Sequence, residues 1–183
     1  MSSNIILGID PGSQVLGYGV VDTVQNKPVC LHLGALKLTK TDDYYYRLRL
    51  IYEHVILLIQ EYKPVEMALE APFYGKNVQS MLKLGRAQGV AMSAALSCNI
   101  PIVEYAPKKV KMAITGNGSA SKEQVSAMLI QMFKLKEIPQ FFDATDGLAV
   151  AVCHYYEKRS VLGQMGKAKS WEDFIKKNPD RIK

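Results

Sequence analysis

The chain opens on an apolar, β-branched run from Asn4 to Ile9 that stops at Asp10-Pro11-Gly12, a turn signal. The run predicts a buried strand that ends in a carboxylate. Val15 to Asp22 (VLGYGVVD) and Pro28 to Leu38 read as two further strands, separated by the polar turn Gln25-Asn26-Lys27. From Asp42 the period changes: Leu48, Ile51, Tyr52, Val55, Ile59 and Tyr62 fall at i, i+3, i+4, i+7 spacing, an amphipathic helix that Pro64 follows. Val65 to Leu69 is a short strand that delivers Glu70 at its end. Gly75 to Cys98, rich in Ala, Leu and Met, reads as a second long helix, Ile102 to Tyr105 as a fifth strand, and Pro107 as the start of another helix. Gly116-Asn117-Gly118-Ser119-Ala120 is a flexible loop, after which Ser121 and Gln124 offer a capping box for a helix through Leu135. A last helix spans about Asp143 to Glu157. Residues 160 to 183 hold little apolar period beyond Trp171, Phe174 and Ile175, which predicts a short helix at most, or disorder in isolation. The order βββαβαβααα is that of a mixed α/β sheet covered by helices.

Composition narrows the class. With 183 residues, 48% hydrophobic and 22% charged, the expectation is one soluble domain. No apolar stretch reaches the roughly 18 residues of a membrane span, and the N-terminus lacks the layout of a secretory signal, so a cytoplasmic protein without membrane contact is expected. Cys30, Cys98 and Cys153 form no Cys-x-x-Cys pair, and His32, His54 and His154 are equally scattered. Neither zinc nor a disulfide framework is signalled, and the cysteines read as reduced core residues. The net charge of +6 is uneven: from Lys158 onward 8 Lys and Arg face 3 Asp and Glu, so the tail holds +5 of it. A basic tail either attracts phosphate backbones or simply solubilises the end of the chain.

The chemistry lies with four acids. Asp10 and Glu70 both sit where a hydrophobic strand ends, the place where ligand sites gather in open α/β sheets, and they converge if those strands are neighbours. Asp143 and Asp146, three apart at the start of the final helix, point from one face that Gly147 and Val150 continue toward the sheet. Such a gathering opposes folding unless a cation is present, because like charges raise each other's pKa. Oxygen-only ligands select hard cations, so Mg²⁺ is the natural occupant and Mn²⁺ a substitute. Two ions about 4 Å apart can activate a water and stabilise the leaving oxygen in phosphodiester hydrolysis. Taken singly, Asp143 or Asp146 reads rather as a helix N-terminal acid favoured by the dipole, and Asp10 as a turn residue. Glu70 is harder to explain that way, since Glu is a poor strand residue.

Read in order, Gly8-Ile9-Asp10-Pro11-Gly12-Ser13, Gly17-Tyr18-Gly19, Leu69-Glu70, Leu84-Gly85-Arg86-Ala87-Gln88-Gly89, Glu104-Tyr105-Ala106, Gly116-x-Gly118-x-Ala120-x-Lys122 and Asp143-Ala144-Thr145-Asp146-Gly147-Leu148-Ala149 resemble the RuvC crossover junction endonucleases. The match runs over residues 4 to 157. The resemblance implies an RNase H-like fold, a mixed five-stranded sheet flanked by helices, in a nuclease domain of residues 1–157 followed by a basic C-terminal tail, 158–183. It implies a Mg²⁺-dependent homodimer that binds a four-way DNA junction, makes paired symmetric nicks leaving ligatable ends, and works with the branch-migration proteins RuvA and RuvB. By position, Asp10, Glu70, Asp143 and Asp146 are its metal-binding catalytic carboxylates. Lys111 and Lys122 are its basic residues near the scissile phosphate, where a cation stabilises developing negative charge. Phe73, beside Tyr74, stands where the family carries an aromatic that stacks on bases at the opened crossover. Two rival readings share parts of the pattern. An ATP-binding module of the actin-like and sugar-kinase group also has a Gly-x-Asp-x-Gly turn after its first strand, but it needs a second, equivalent domain for which 183 residues leave no room. A different RNase H-like nucleic-acid-binding protein would not need all four acids.

Overall fold

The structure, a computed structural model, describes residues 4–23, 27–38, 43–72, 77–135 and 142–160. Ten elements follow in the anticipated order: β1 (Ile5–Asp10), β2 (Val15–Asp22), β3 (Val29–Lys37), α1 (Tyr44–Tyr62), β4 (Glu66–Glu70), α2 (Val78–Ser97), β5 (Ile102–Tyr105), α3 (Pro107–Thr115), α4 (Lys122–Phe133) and α5 (Phe142–Arg159). The strands form one sheet in the order β3-β2-β1-β4-β5. β1 runs antiparallel to β2 and parallel to β4, and β4 runs parallel to β5. The sheet is therefore mixed, with the meander on one side and the parallel crossovers on the other.

Side chains alternate across this sheet and feed two cores. Ile5, Leu7, Ile9, Met67 and Leu69 pack against α1 and α2. Ile6, Val21 and Ala68 pack on the opposite face with residues of α3, α4 and α5. α5 is nearly all buried between Ala144 and Tyr155 because it lies directly on the central strands. Glycine makes that approach possible: a Cβ added at Gly8 would stand 2.3 Å from the Gly147 carbonyl oxygen, and one at Gly19 would stand 2.4 Å from Leu148 Cα. A polar chain pins the far end of the helix. The Tyr105 hydroxyl lies 2.8 Å from His154 Nδ1, His154 Nε2 lies 3.0 Å from Glu66 Oε2, and Lys158 Nζ donates to the same oxygen at 2.5 Å.

Element ends follow local chemistry, with some departures from expectation. Asp43 caps α1 by accepting from the amides of Tyr45 and Tyr46, Pro107 occupies the first turn of α3, and the Ser121–Gln124 capping box forms as anticipated. α2 runs from Val78, where the Asn77 side chain accepts from the Ser80 amide and sets the first turn; the expected start at Gly75 lies outside the described residues. α4 stops at Phe133, short of Leu135, where Lys134 turns left-handed at φ 50°. α5 continues to Arg159, past Glu157. Cys153 is buried and unbridged as expected, whereas Cys30 and Cys98, also unbridged, are only half-buried. Among the described residues no helix is long and apolar enough to cross a membrane. Phe73 and the stretch 161–183, with Trp171, Phe174 and Ile175, lie outside the described residues.

Candidate active site

Asp10 and Glu70 are the last residues of two adjoining parallel strands, and the register Ile9↔Leu69 puts them at matching ends. Ile9 and Leu69 point into the α1/α2 core, so alternation turns Asp10 and Glu70 toward the other face, where α5 begins. Asp146 lies on that first stretch of α5 and is 9% exposed. Its place depends on close backbone packing: a Cβ at Gly17 would sit 1.9 Å from the Asp143 carbonyl oxygen, and one at Gly147 only 2.4 Å from Tyr18 Cα. With hydrogen alone at these positions, the acidic end of α5 settles onto β2 beside β1.

Asp10, Glu70, Asp146, Lys111 and Lys122 line one cavity of about 260 Å³. Asp143 is not part of that lining, although its charge reaches Asp10, Asp146 and Lys122. Lys122 Nζ donates to Asp146 Oδ2 at 2.5 Å. α4 presents that lysine as its first residue, immediately after its N-cap, Ser121.

Electrostatics record the crowding. Burial, and then the charges of Glu70 and Asp146, push the Asp10 carboxyl well above the usual carboxylate range, against the pull of Lys122. Burial and the Asp146 charge lift Glu70 from 4.5 to about 7, with Lys122 and Lys111 opposing. Asp146 is raised by burial despite its bond to Lys122. Burial alone would lower Lys122, but its bond to Asp146 and the surrounding acids outweigh it and hold the ammonium charged. The acids thus lack positive charge, and Lys122 supplies part of it.

The donor set fits a hard divalent cation by chemistry, since Asp10, Glu70 and Asp146 bring only oxygen to one cavity. Among the described residues, however, no three acidic, His or Cys side chains are grouped closely enough to form a ready-made cage. Uncompensated carboxylates repel one another, and the Lys122 ammonium occupies one oxygen of Asp146.

Sequence reasoning gave no role to one polar residue of this cavity. Gln88 also lines it, and its Nε2 donates to Glu104 Oε1 at 2.5 Å. The available signal was a polar side chain on the face of α2 that is otherwise built from Ala87, Ala91, Ala94 and Ala95.

A mixed five-stranded sheet with acids at the ends of its two central parallel strands, and another on the helix laid across them, defines an RNase H-like protein. The comparisons agree. The sequence profile of "Crossover junction endodeoxyribonuclease RuvC" matches residues 6–154. The chain is 55% identical to the crossover junction endodeoxyribonuclease RuvC of Bacteroides fragilis, covering 100% of this chain and 98% of that protein. It is 54% identical to the protein of the same name from Cytophaga hutchinsonii, over 98% of this chain and 88% of that one. Its fold matches T. thermophilus RuvC, solved in complex with a Holliday junction substrate, with a TM-score of 0.75 and 30% identity over 85% of this chain and 95% of that one. The chain belongs to the RuvC family of crossover junction endodeoxyribonucleases. That membership displaces the reading as an ATP-binding module.

Proposed function

We propose that this protein resolves four-way DNA junctions by paired, symmetric, Mg²⁺-dependent nicks. The observation that carries the reading is the convergence of Asp10, Glu70 and Asp146 with Lys111 and Lys122 on a single cavity. Asp10, Glu70, Asp143 and Asp146 would hold the divalent ions, with Mn²⁺ able to replace Mg²⁺. Bound there, such ions would lower the pKa of a water and offset charge on the leaving oxygen. The remaining work falls to the protein. Water oxygen gives up a proton and bonds to phosphorus, the bond from phosphorus to the leaving sugar oxygen breaks, that oxygen takes up a proton to become a hydroxyl, and the phosphoryl oxygens gain negative charge on the way. Lys122, held charged at the cavity, and Lys111, on its wall, stabilise that charge. The buried α5 backbone, seated on glycines, keeps Asp146 in place while this happens.

Symmetric nicking needs two sites related by a dyad, and hence a homodimer. A stripe on α2 supports one: Val78, Leu82 and Leu96 are exposed at helical spacing, and Gly85 and Gly89 between them have open space before them. Phe73 would stack on bases at the opened crossover, and the basic residues of 158–183 would contact the DNA arms. RuvA and RuvB are partners by family resemblance, and the cytoplasm is the expected compartment.

The test is incubation of the purified protein with a synthetic four-way junction, with and without Mg²⁺, and mapping of the cuts on every strand. Two symmetric nicks that DNA ligase reseals, made only with the ion present, are expected. Saturable ATP binding without junction binding, or equal cutting of linear duplex, would overturn the reading.

A further inference from the structure

The acids occupy only part of their cavity. Its wall also includes Pro72 after β4, Leu84 and Gln88 of α2, and Pro107 and Val110 of α3. Gln88 is the anomaly there: it is 5% exposed, in mid-helix, on a face otherwise lined with alanines. A buried primary amide is unfavourable unless its polar atoms are used. One N–H is committed to Glu104 Oε1 at 2.5 Å. Glu104 in turn pairs with Leu69, the residue before Glu70, so the brace on Gln88 is tied to the strand that carries a proposed metal ligand. The amide is fixed in place beside the acids, and the surfaces next to it are apolar.

Those surfaces match what adjoins a phosphodiester held at the acids: a deoxyribose and a base, whose faces are apolar and whose edge carries hydrogen-bonding groups. Gln is suited to such an edge because one side chain offers both a donor and an acceptor. We infer that the cavity wall formed by Pro72, Leu84, Pro107 and Gln88 receives the nucleoside adjoining the cleaved phosphate, and that Gln88, braced by Glu104, discriminates among bases there. This inference rests on the nuclease reading above. Lys111 and Lys122 meet phosphate, which is alike at every step of the strand, whereas Gln88 meets a group that differs from base to base.

The test uses four-way junctions randomised at the nucleotides flanking the nick, cut in single turnover by the wild type and by Gln88→Met, which preserves length and helix propensity. Junction affinity is measured in parallel. The relative rates for the four bases at one flanking position should change by about tenfold in the variant, within the range expected for loss of one side-chain contact to a base edge, while affinity stays within about twofold. An unaltered base profile, whether all sequences are slowed equally or not at all, would overturn the inference. Gln88→Ala, on a face already built from alanines, serves as the second variant with the same two outcomes. Failure of the wild type to cut any junction would sink the nuclease reading and this inference with it, whereas wild-type cutting with an unchanged profile in the variants sinks the inference alone.

Discussion

Replacing Glu70 with Gln should stabilise the ion-free protein at neutral pH and above. Burial and the neighbouring Asp146 hold the Glu70 carboxyl at about 7 against an ordinary 4.5. The folded protein therefore keeps this proton to higher pH than the unfolded chain does, and its stability falls as pH climbs from about 4.5 to about 7. Above that window the ionised carboxylate costs about 3 kcal/mol. Gln keeps the shape and removes the charge, so the gain should be about 3 kcal/mol at pH 8 and about 1 kcal/mol at pH 5. For a chain of this size, about 3 kcal/mol corresponds to a rise in Tm of roughly 6 to 12 °C. Thermal unfolding followed by circular dichroism at both pH values, with a chelator present, measures this directly. Adding Mg²⁺ should raise the wild type more than the variant, because the ion binds the folded carboxylates. A variant no more stable than the wild type at pH 8, or one whose gain is equal at both pH values, would refute the claim that Glu70 is held against its own ionisation.

Gly147→Ala would place a Cβ 2.4 Å from the Tyr18 backbone and should cost about 1 to 3 kcal/mol in urea unfolding; an unchanged midpoint would contradict the close seating of α5 on β2. Ser121→Ala removes one half of the capping box ahead of Lys122 and should cost about 1 kcal/mol, read from the same melts, with no loss arguing that the cap is idle. Lys122→Ala should slow junction cleavage more than it weakens junction binding, since the ammonium acts on charge that grows in the transition state; equal losses in both would indicate ordinary phosphate positioning.

Local signals carried most of the architecture. The β-branched runs, the change of period after Asp42, Pro107 and the Ser121–Gln124 pair each depend on neighbours close in sequence, and each element they predict is present. Pairing between distant segments was beyond that reach. The convergence of Asp10 and Glu70 was conditional until β1 and β4 proved to be parallel neighbours, a contact that joins residues about sixty positions apart. Gly8, Gly17 and Gly19 could be read within a motif, but their physical role is the approach of α5, which appears only once the helix is docked. The Lys122–Asp146 pair escaped notice for the same reason: a first-turn lysine looks like solvated surface until the opposite helix is in place. Nothing in the motif around Gln88 signals its role, although its setting among alanines marks it as buried. The bond between Tyr105 and His154, and that from His154 to Glu66, likewise arise from three residues that look unrelated along the chain.

If acids from β1, β4 and α5 act together to hydrolyse DNA at a branch point, Asp10→Asn removes one of them with little change of shape. Cleavage of a synthetic four-way junction in single turnover with Mg²⁺, measured beside junction affinity on the same preparation, should show cutting abolished and binding retained. Cutting at the wild-type rate by that variant would show that Asp10 takes no part in the hydrolysis.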